Sequence, residues 1–157
     1  MRATSAMFLV LLISAGVFAQ SRRIRTYQFE KKEGSHTARV VFRTRMFTRA
    51  RHRSTGVVRG QTMIDGRPAI GTDGNMPGVE IASMRFYLDG KEIKVPGRLY
   101  ADCFDPKFGD DYVTLTFGRG FQDVIISMSG SDGAGGYQVI WRLRKNGQHS
   151  RTINIGG

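Results

Sequence analysis

The stretch that decides the fold runs Met84-Arg85-Phe86-Tyr87-Leu88-Asp89-Gly90-Lys91-Glu92-Ile93-Lys94-Val95. Apolar and polar residues alternate on both sides of Asp89-Gly90, which is the period of a half-buried strand. Asp-Gly readily adopts the positive φ angles of a two-residue type I′ turn. The stretch therefore predicts a β-hairpin whose core-facing residues are Met84, Phe86, Leu88, Ile93 and Val95.

Three further pairs of segments predict hairpins of the same kind. Residues 139–144 and 149–155 flank a turn at 145–148 that contains Asn146-Gly147, and their apolar residues alternate with polar ones. Residues 62–64 and 67–70 flank Asp65-Gly66, although Pro68 confines the second arm to an edge or a short strand. Residues 112–117 and 123–128 flank Gly118-Arg119-Gly120.

This spacing, together with 20 glycines and few helical periods, predicts an all-β fold. An antiparallel β-sandwich of about seven to nine strands is favoured, with a small β-barrel as the alternative. At most one short helical turn is expected, between Pro96 and Asp105. Pro106 would end this turn.

Residues 1–19 are typical of a secretory signal peptide. Arg2 precedes an apolar stretch from Met7 to Ile13, and small residues lead to Ala19. The stretch from Met7 to Ala19 is 13 residues, shorter than the roughly 20 that a membrane-spanning helix needs. Cleavage near Ala19 would leave residues 20–157 as a single secreted or periplasmic β domain with no transmembrane segment. An uncleaved N-terminal anchor is the alternative.

Charge is distributed unevenly along the chain. Residues 20–60 hold twelve lysines and arginines but only two acids, whereas residues 61–157 hold eleven of each sign. A surplus of this kind favours anionic partners such as an anionic lipid, an acidic polysaccharide or an acidic protein. Nucleic acid is an unlikely target for an exported protein.

Arginine recurs at every second position over parts of residues 41–53. Successive side chains of a strand point to opposite faces, so this spacing predicts a row of guanidinium groups on one face of an extended segment. The candidate anion-binding residues are Arg43, Arg45, Arg49, Arg51 and Arg53. The alternative is a solvated strand face whose charges protect a sheet edge.

Two other features carry possible chemistry. Four carboxylates within ten residues, which are the hard oxygen ligands that Ca²⁺ takes, form a weak calcium candidate at Asp102, Asp105, Asp110 and Asp111. Their spacing does not match an EF-hand loop, and solvated turn residues are the favoured interpretation. Cys103 is the only cysteine, so no intramolecular disulfide forms, and a buried apolar position is expected for it.

No catalytic motif is present. The three histidines lack the HExxH spacing of a zinc site, and there is no GxSxG nucleophile elbow. No cofactor is implied. The sequence therefore favours a small, secreted, non-enzymatic binding domain with a basic face. A structural or accessory envelope protein without a polyanion ligand is the main alternative, and a carboxylate-based hydrolase is a less favoured one.

Overall fold

A computed structural model describes residues 24–130 and 136–155. The expected signal peptide, residues 1–19, lies outside this part of the chain. The strands of the described residues are β1 (Arg25–Glu33), β2 (His36–Met46), β3 (Thr55–Val58), β4 (Gln61–Ile64), β5 (Arg67–Pro68), β6 (Val79–Leu88), β7 (Lys91–Ile93), β8 (Val113–Phe117), β9 (Asp123–Gly130), β10 (Tyr137–Arg144) and β11 (Ser150–Ile155). Short 3₁₀ turns cover Arg49–Arg51, Gly97–Leu99 and Arg119–Phe121.

The strands of the described residues form three antiparallel sheets and no closed barrel, so the predicted all-β sandwich is confirmed. The first sheet has the order β1-β2-β6-β7, the second sheet β11-β10-β9-β8, and the small sheet β3-β4-β5. The eleven strands exceed the expected seven to nine partly because β5 and β7 are only two and three residues long. No helix of the described residues is long and apolar enough to span a membrane.

All four predicted hairpins are present. Asp89 and Gly90 join β6 to β7 with φ angles of 51° and 79°, as a type I′ turn requires. Asp65-Gly66 joins β4 to β5, and Pro68 lies in an exposed two-residue strand. Two of the 3₁₀ turns, Arg49–Arg51 and Arg119–Phe121, were not predicted, whereas the turn at Gly97–Leu99 lies where one was expected.

The hydrophobic core lies between the first and second sheets. Buried side chains alternate with outward-facing ones along β2, where Val40 and Phe42 are fully buried. The ring of Phe42 lies 5.9 Å from that of Trp141 on β10, so the two sheets meet through their central strands. The indole Nε1 of Trp141 donates a hydrogen bond of 2.6 Å to the Leu99 carbonyl, which satisfies its polar atom inside the core.

A β-bulge interrupts the pairing of β2 with β6. Arg43 pairs with Ser83 but the next residue, Thr44, pairs with Ile81, so Ala82 is an extra residue on β6. The extra residue reverses which side chains of β6 face the core from that point on. As a result Glu80 lies opposite Arg45, on the outward side of the sheet, instead of facing inward.

Residues 47–78 leave the first sheet after β2 and return to it at β6. They carry the small sheet, whose own core consists of Ile64 and Ala69 together with Phe104 and Phe47. The first and last residues of this segment are hydrogen-bonded to each other, because the Phe47 amide donates to the Gly78 carbonyl at 2.9 Å. We call residues 47–78 the β2–β6 excursion.

Two glycines make room for the buried ring of Tyr137. A Cβ added at Gly130 would lie 2.3 Å from the ring, and one added at Gly71 would lie 2.7 Å from it and 2.4 Å from the Phe104 carbonyl. The phenol hydroxyl donates a buried hydrogen bond of 3.0 Å to that same carbonyl. The ring therefore joins β10 to the segment that completes the core of the small sheet.

We predict that Gly130→Ala lowers the free energy of unfolding by about 1–3 kcal/mol, because the new methyl group overlaps the Tyr137 ring. Urea unfolding measures the change. Gly56→Ala is the control, since a Cβ at Gly56 in β3 meets no atom within 4 Å, and it should shift the free energy by no more than about 0.5 kcal/mol. Equal effects of the two substitutions would contradict the steric argument.

Candidate anion-binding surface

The structure corrects the expectation of a single arginine row. The extended segment ends at Met46, and the Arg51 and His52 amides close a 3₁₀ turn by donating to the carbonyls of Thr48 and Arg49, each at 3.0 Å. The chain bends here because Phe47 leaves the strand to pack in the small core. Arg43 and Arg45 therefore lie on β2, whereas Arg49 and Arg51 lie on the turn and Arg53 follows it.

Arg45 is part of an ion-pair network centred on Glu80. Glu80 is only 4% exposed, and a buried carboxylate needs hydrogen-bonded partners of opposite charge. One carboxylate oxygen accepts a hydrogen bond from the Arg45 guanidinium, and the other lies 2.9 Å from Nε2 of His52. The structure thus shows Arg45 engaged within the protein, in contrast to the other four predicted arginines.

His52 extends this network to the β4–β5 turn. Its Nδ1 lies 2.9 Å from Oδ2 of Asp65, while Oδ1 of Asp65 accepts the Arg53 amide at 2.7 Å. Both ring nitrogens of His52 therefore lie within hydrogen-bond distance of a carboxylate oxygen. The ring also stacks on Phe47, with centroids 4.8 Å apart. His52 therefore fastens the 3₁₀ turn to both β6 and the small sheet.

Hydrogen bonding lowers the pKa of the Asp65 carboxyl. The side-chain bond to His52 lowers the pKa of the Asp65 carboxyl below its usual 3.8, and the amides of Arg53 and Ser54 act in the same direction, against a smaller opposing effect of burial. Glu80 thus contacts both Arg45 and His52, and Asp65 contacts His52. Neither acid pairs with the remaining arginines of the turn within the described residues.

Four of the predicted arginines remain without an acidic partner in the part of the chain that the structure describes: Arg43, Arg49, Arg51 and Arg53. We call these four residues the arginine surface. Arg43 faces outward between Thr26 and Ser83, its neutral partners on β1 and β6. His52 and Arg45 both contact the Glu80 carboxylate, so the turn is tied to β2 at a position two residues from Arg43.

Two cavities of the described residues have acidic side chains in their lining. One of about 460 Å³ lies on the outer face of the first sheet, where Lys32 and Arg39 are balanced by Glu30 and Asp89. A smaller one of about 210 Å³ has Asp65 and Asp102 in its lining. Carboxylates repel anions, so these two cavities suit an anion less well than the arginine surface does. The arginine surface is open, and it would suit an extended ligand better than an enclosed one.

The four aspartates of the calcium candidate have separate surroundings. Asp102 forms a two-pronged ion pair with Arg151, whose pKa it raises. Asp105 accepts the amides of Gly78 and Val79 at 3.0 and 2.8 Å, although burial raises the pKa of its carboxyl. Asp110 and Asp111 are exposed. Among the described residues no three side chains of His, Cys, Asp or Glu are grouped to hold a metal ion.

Cys103 is fully buried, as expected. Burial raises the pKa of its thiol to about 12, and the nearby Asp102 carboxylate acts in the same direction. A thiolate is the nucleophilic form of cysteine, so this residue is inert in the folded protein. Its backbone instead forms a parallel bridge with Ile70, which joins the β2–β6 excursion to the rest of the fold.

Sequence reasoning missed Glu80 and His52 as the residues that organise the site. A signal for Glu80 exists in β6, where apolar residues occupy odd positions at 79 and 81 but even positions at 84, 86 and 88. That change of parity marks the bulge and places Glu80 on the outward side. No local pattern links His52 to Glu80, since they are 28 residues apart and meet only in the folded chain.

Comparison with known proteins assigns no function to this site. No protein-family model matches the chain, and neither a curated protein nor a solved structure matches it. The fold is all-β, an architecture that hosts many unrelated functions, so the argument for function depends on the site itself.

We predict that replacing Asp65 by Asn changes the acid sensitivity of folding. The pKa of Asp65 is lower in the folded chain than in the unfolded one, so its charge stabilises the fold above about pH 4 and this contribution disappears as the pH falls through the folded pKa. The stability difference between wild type and Asp65→Asn should therefore be full at pH 5 to 7 and shrink toward about pH 2.

Urea unfolding at a series of pH values measures this difference. The control repeats the pair in a His52→Gln background, where the main cause of the lowered pKa is removed and the pH-dependent part should be smaller. A difference that is independent of pH in both backgrounds would show that the Asp65 charge does not stabilise the turn.

Proposed function

We propose that this protein is a small, secreted, non-enzymatic binding domain that uses the arginine surface to bind a polyanionic ligand. The observation that carries the proposal is the separation of charges around the 3₁₀ turn. Glu80 and Asp65 pair with Arg45 and His52, whereas Arg49 and Arg51 on the turn and Arg53 just after it have no acidic partner in the described residues.

Arginine suits this role better than lysine. Its planar guanidinium presents several donors in a fixed geometry that matches the paired oxygens of carboxylate, sulfate and phosphate groups. The hydroxyl-bearing residues Thr26 and Ser83, which flank Arg43, add uncharged donors next to a cation. Cations at the protein surface favour a ligand with repeated negative charges, because each separate contact is screened by water and salt.

The turn that carries these arginines is held in place before any ligand binds. Its backbone is closed by its own hydrogen bonds, and His52 ties it to both β6 and the β4–β5 turn. A fixed surface loses less conformational entropy on binding than a mobile one, which raises affinity without additional contacts. The network is thus a support for the arginine surface as well as a structural element.

We predict that the protein binds dextran sulfate and polygalacturonate with an affinity that falls steeply between about 50 and 300 mM salt, because each neutralised charge adds to the salt dependence. Changing Arg43, Arg49, Arg51 and Arg53 together to Gln should weaken binding about tenfold or more at low salt and flatten the salt dependence. Fluorescence anisotropy of labelled polymers measures both effects.

A charge-matched control separates this surface from net charge alone. It replaces four other exposed cations, Lys91, Arg98, Arg119 and Lys145, by Gln. The control should keep nearly all of the affinity and its salt dependence. Equal weakening by both sets would sink the proposal, as would a wild-type protein that binds neither polymer at low salt.

The proposal includes export. Residues 1–19 have the charge, apolar stretch and small residues of a signal peptide, and the support for cleavage after Ala19 is this sequence pattern alone. We predict that a chain expressed with its N terminus in a secreting host is recovered outside the cytoplasm with Gln20 as its first residue, as intact mass would show.

Replacing Leu11 and Leu12 by Arg should abolish this processing, since the apolar stretch is what the export machinery recognises. Replacing Arg22 and Arg23 by Gln, beyond the apolar stretch, is the matched control and should leave processing intact. A secreted chain that still begins at Met1 would favour an uncleaved anchor instead.

A further inference from the structure

We propose that the protein docks onto an anionic lipid surface through the hairpin formed by β3 and β4, with the arginine surface contacting lipid head groups. This inference rests on the proposed anion-binding function and names its partner. The observation behind it is a pair of exposed aliphatic residues within this basic part of the chain. Val57 and Val58 are 54% and 57% exposed, and they are adjacent in sequence.

The two valines lie at the end of the hairpin. Val57 pairs with Thr62 and Val58 pairs with Gln61, and the turn between them consists of Arg59 and Gly60 with φ angles of 51° and 78°. Exposing these two aliphatic side chains to water is unfavourable, because each loses the free energy of burial. Contact with a partner would remove that cost.

The orientation of the valines favours a surrounding medium over a protein surface. Successive residues of a strand point to opposite faces, so Val57 and Val58 project from opposite sides of the hairpin. A rigid partner that packs on one side covers only one of them, and a strand added to the edge of β3 covers neither. The boundary between lipid head groups and acyl chains is deformable, so it reaches the open face with Val58 and also the exposed part of Val57, which shares its face with the buried Thr62.

The other arm of the hairpin is already committed to the protein. Thr62 on β4 is fully buried, and its hydroxyl donates a hydrogen bond of 2.9 Å to the Asn75 carbonyl. Gly74 approaches Gly60 so closely that a Cβ there would lie 3.0 Å from the Gly60 carbonyl. The hairpin is therefore braced on its β4 side, and β3 is the free edge.

Charge around the hairpin complements an anionic membrane. Arg59 lies in the turn and Arg53 lies two residues before β3, while no acid occurs between residues 53 and 64. One exposed acid, Asp73, lies next to Gly74 on the braced side of the hairpin, so the two cations outnumber it. Each guanidinium near an anionic lipid surface adds to the attraction, and long side chains reach head-group phosphates while the backbone lies lower. A second copy of this chain is disfavoured as the occupant, since it would bring the same cations together.

The free edge of β3 also limits how deep the hairpin inserts. Its unpaired backbone amides and carbonyls would be costly in the hydrocarbon layer, where no water hydrogen-bonds to them. The hairpin therefore lies in the head-group region, and only the valine side chains reach the acyl boundary. Binding then depends on both apolar contact and negative charge.

The experiment compares vesicles of mixed phosphatidylglycerol and phosphatidylcholine with vesicles of pure phosphatidylcholine, by co-sedimentation. Wild type should bind only the mixed vesicles, and the double change Val57→Ser with Val58→Ser should weaken that binding about tenfold or more. Ile155→Ser is the matched control, because Ile155 is an equally exposed aliphatic residue on β11 of the second sheet, and it should bind as wild type does.

A second variant reports insertion directly. Val58→Trp places an indole at the hairpin, and its fluorescence should be quenched by vesicles containing brominated acyl chains. The native Trp141 is fully buried and gives an unquenched background. This variant keeps the inference testable even if the serine changes disturb the small sheet.

Dextran sulfate binding tests the proposed function, and vesicle binding tests the lipid inference, so the two proposals can fail separately. Loss of vesicle binding by the valine variant, with dextran sulfate binding retained, would support docking on lipid. Wild-type vesicle binding by the valine variant, or wild-type protein that binds dextran sulfate but not vesicles, would overturn the lipid inference alone. Binding of polyglutamate that the valine changes weaken equally would assign the hairpin to an acidic protein instead. Failure to bind vesicles, dextran sulfate and polygalacturonate would reject both proposals.

Discussion

The buried carboxylate of Glu80 is the constraint on which the candidate site depends. Removing a carboxylate from water costs several kcal/mol unless cations and hydrogen-bond donors replace the lost hydration. Arg45 provides one donor from the neighbouring strand, and His52 provides another from a turn outside the sheet. Because Glu80 needs both, the turn cannot leave the sheet without leaving a buried charge partly unsatisfied. The bulge at Ala82 places Glu80 opposite Arg45, on the side of the sheet from which His52 also reaches it.

This arrangement divides the cations of the region into two groups. Arg45 and His52 neutralise buried or half-buried acids and so contribute to folding. The arginine surface forms no such pairs in the described residues, and mutual repulsion among its members opposes folding slightly. Exposed ion pairs contribute little to stability in any case, so the fold has little need of these four arginines. Three of them, Arg49, Arg51 and Arg53, lie on or just after one braced turn, and on the proposed function this is what an anionic ligand would use.

Local chemistry in the sequence was enough to predict the hairpins of the sandwich. Asp89-Gly90 and Asp65-Gly66 adopt positive φ angles at the turns where such dipeptides belong, and alternation correctly assigned Phe86 and Leu88 to the core. The course of residues 47–53 was not predictable in this way, because arginines at alternate positions fit a strand as well as a turn. What bends the chain is Phe47, whose aromatic partner Phe104 lies 57 positions away in the printed sequence. Contacts of that range leave no periodic signal.

The β2–β6 excursion carries three of the four residues of the arginine surface together with the β3–β4 hairpin, and it is anchored to a rigid core. Its start is fixed by the Phe47 amide on Gly78, its end by Asp105 on the amides of Gly78 and Val79, and its middle by the bridge between Ile70 and Cys103. Binding residues commonly occur on connections held by a sheet, because the sheet fixes their position while the connection is free to vary. Here the connection also has its own small core, so its charged turn and its apolar hairpin keep a fixed separation. If both proposed contacts meet one planar anionic surface, a fixed separation lowers the conformational entropy lost on binding. On the proposed function, the buried Glu80 network would give this support without touching the ligand.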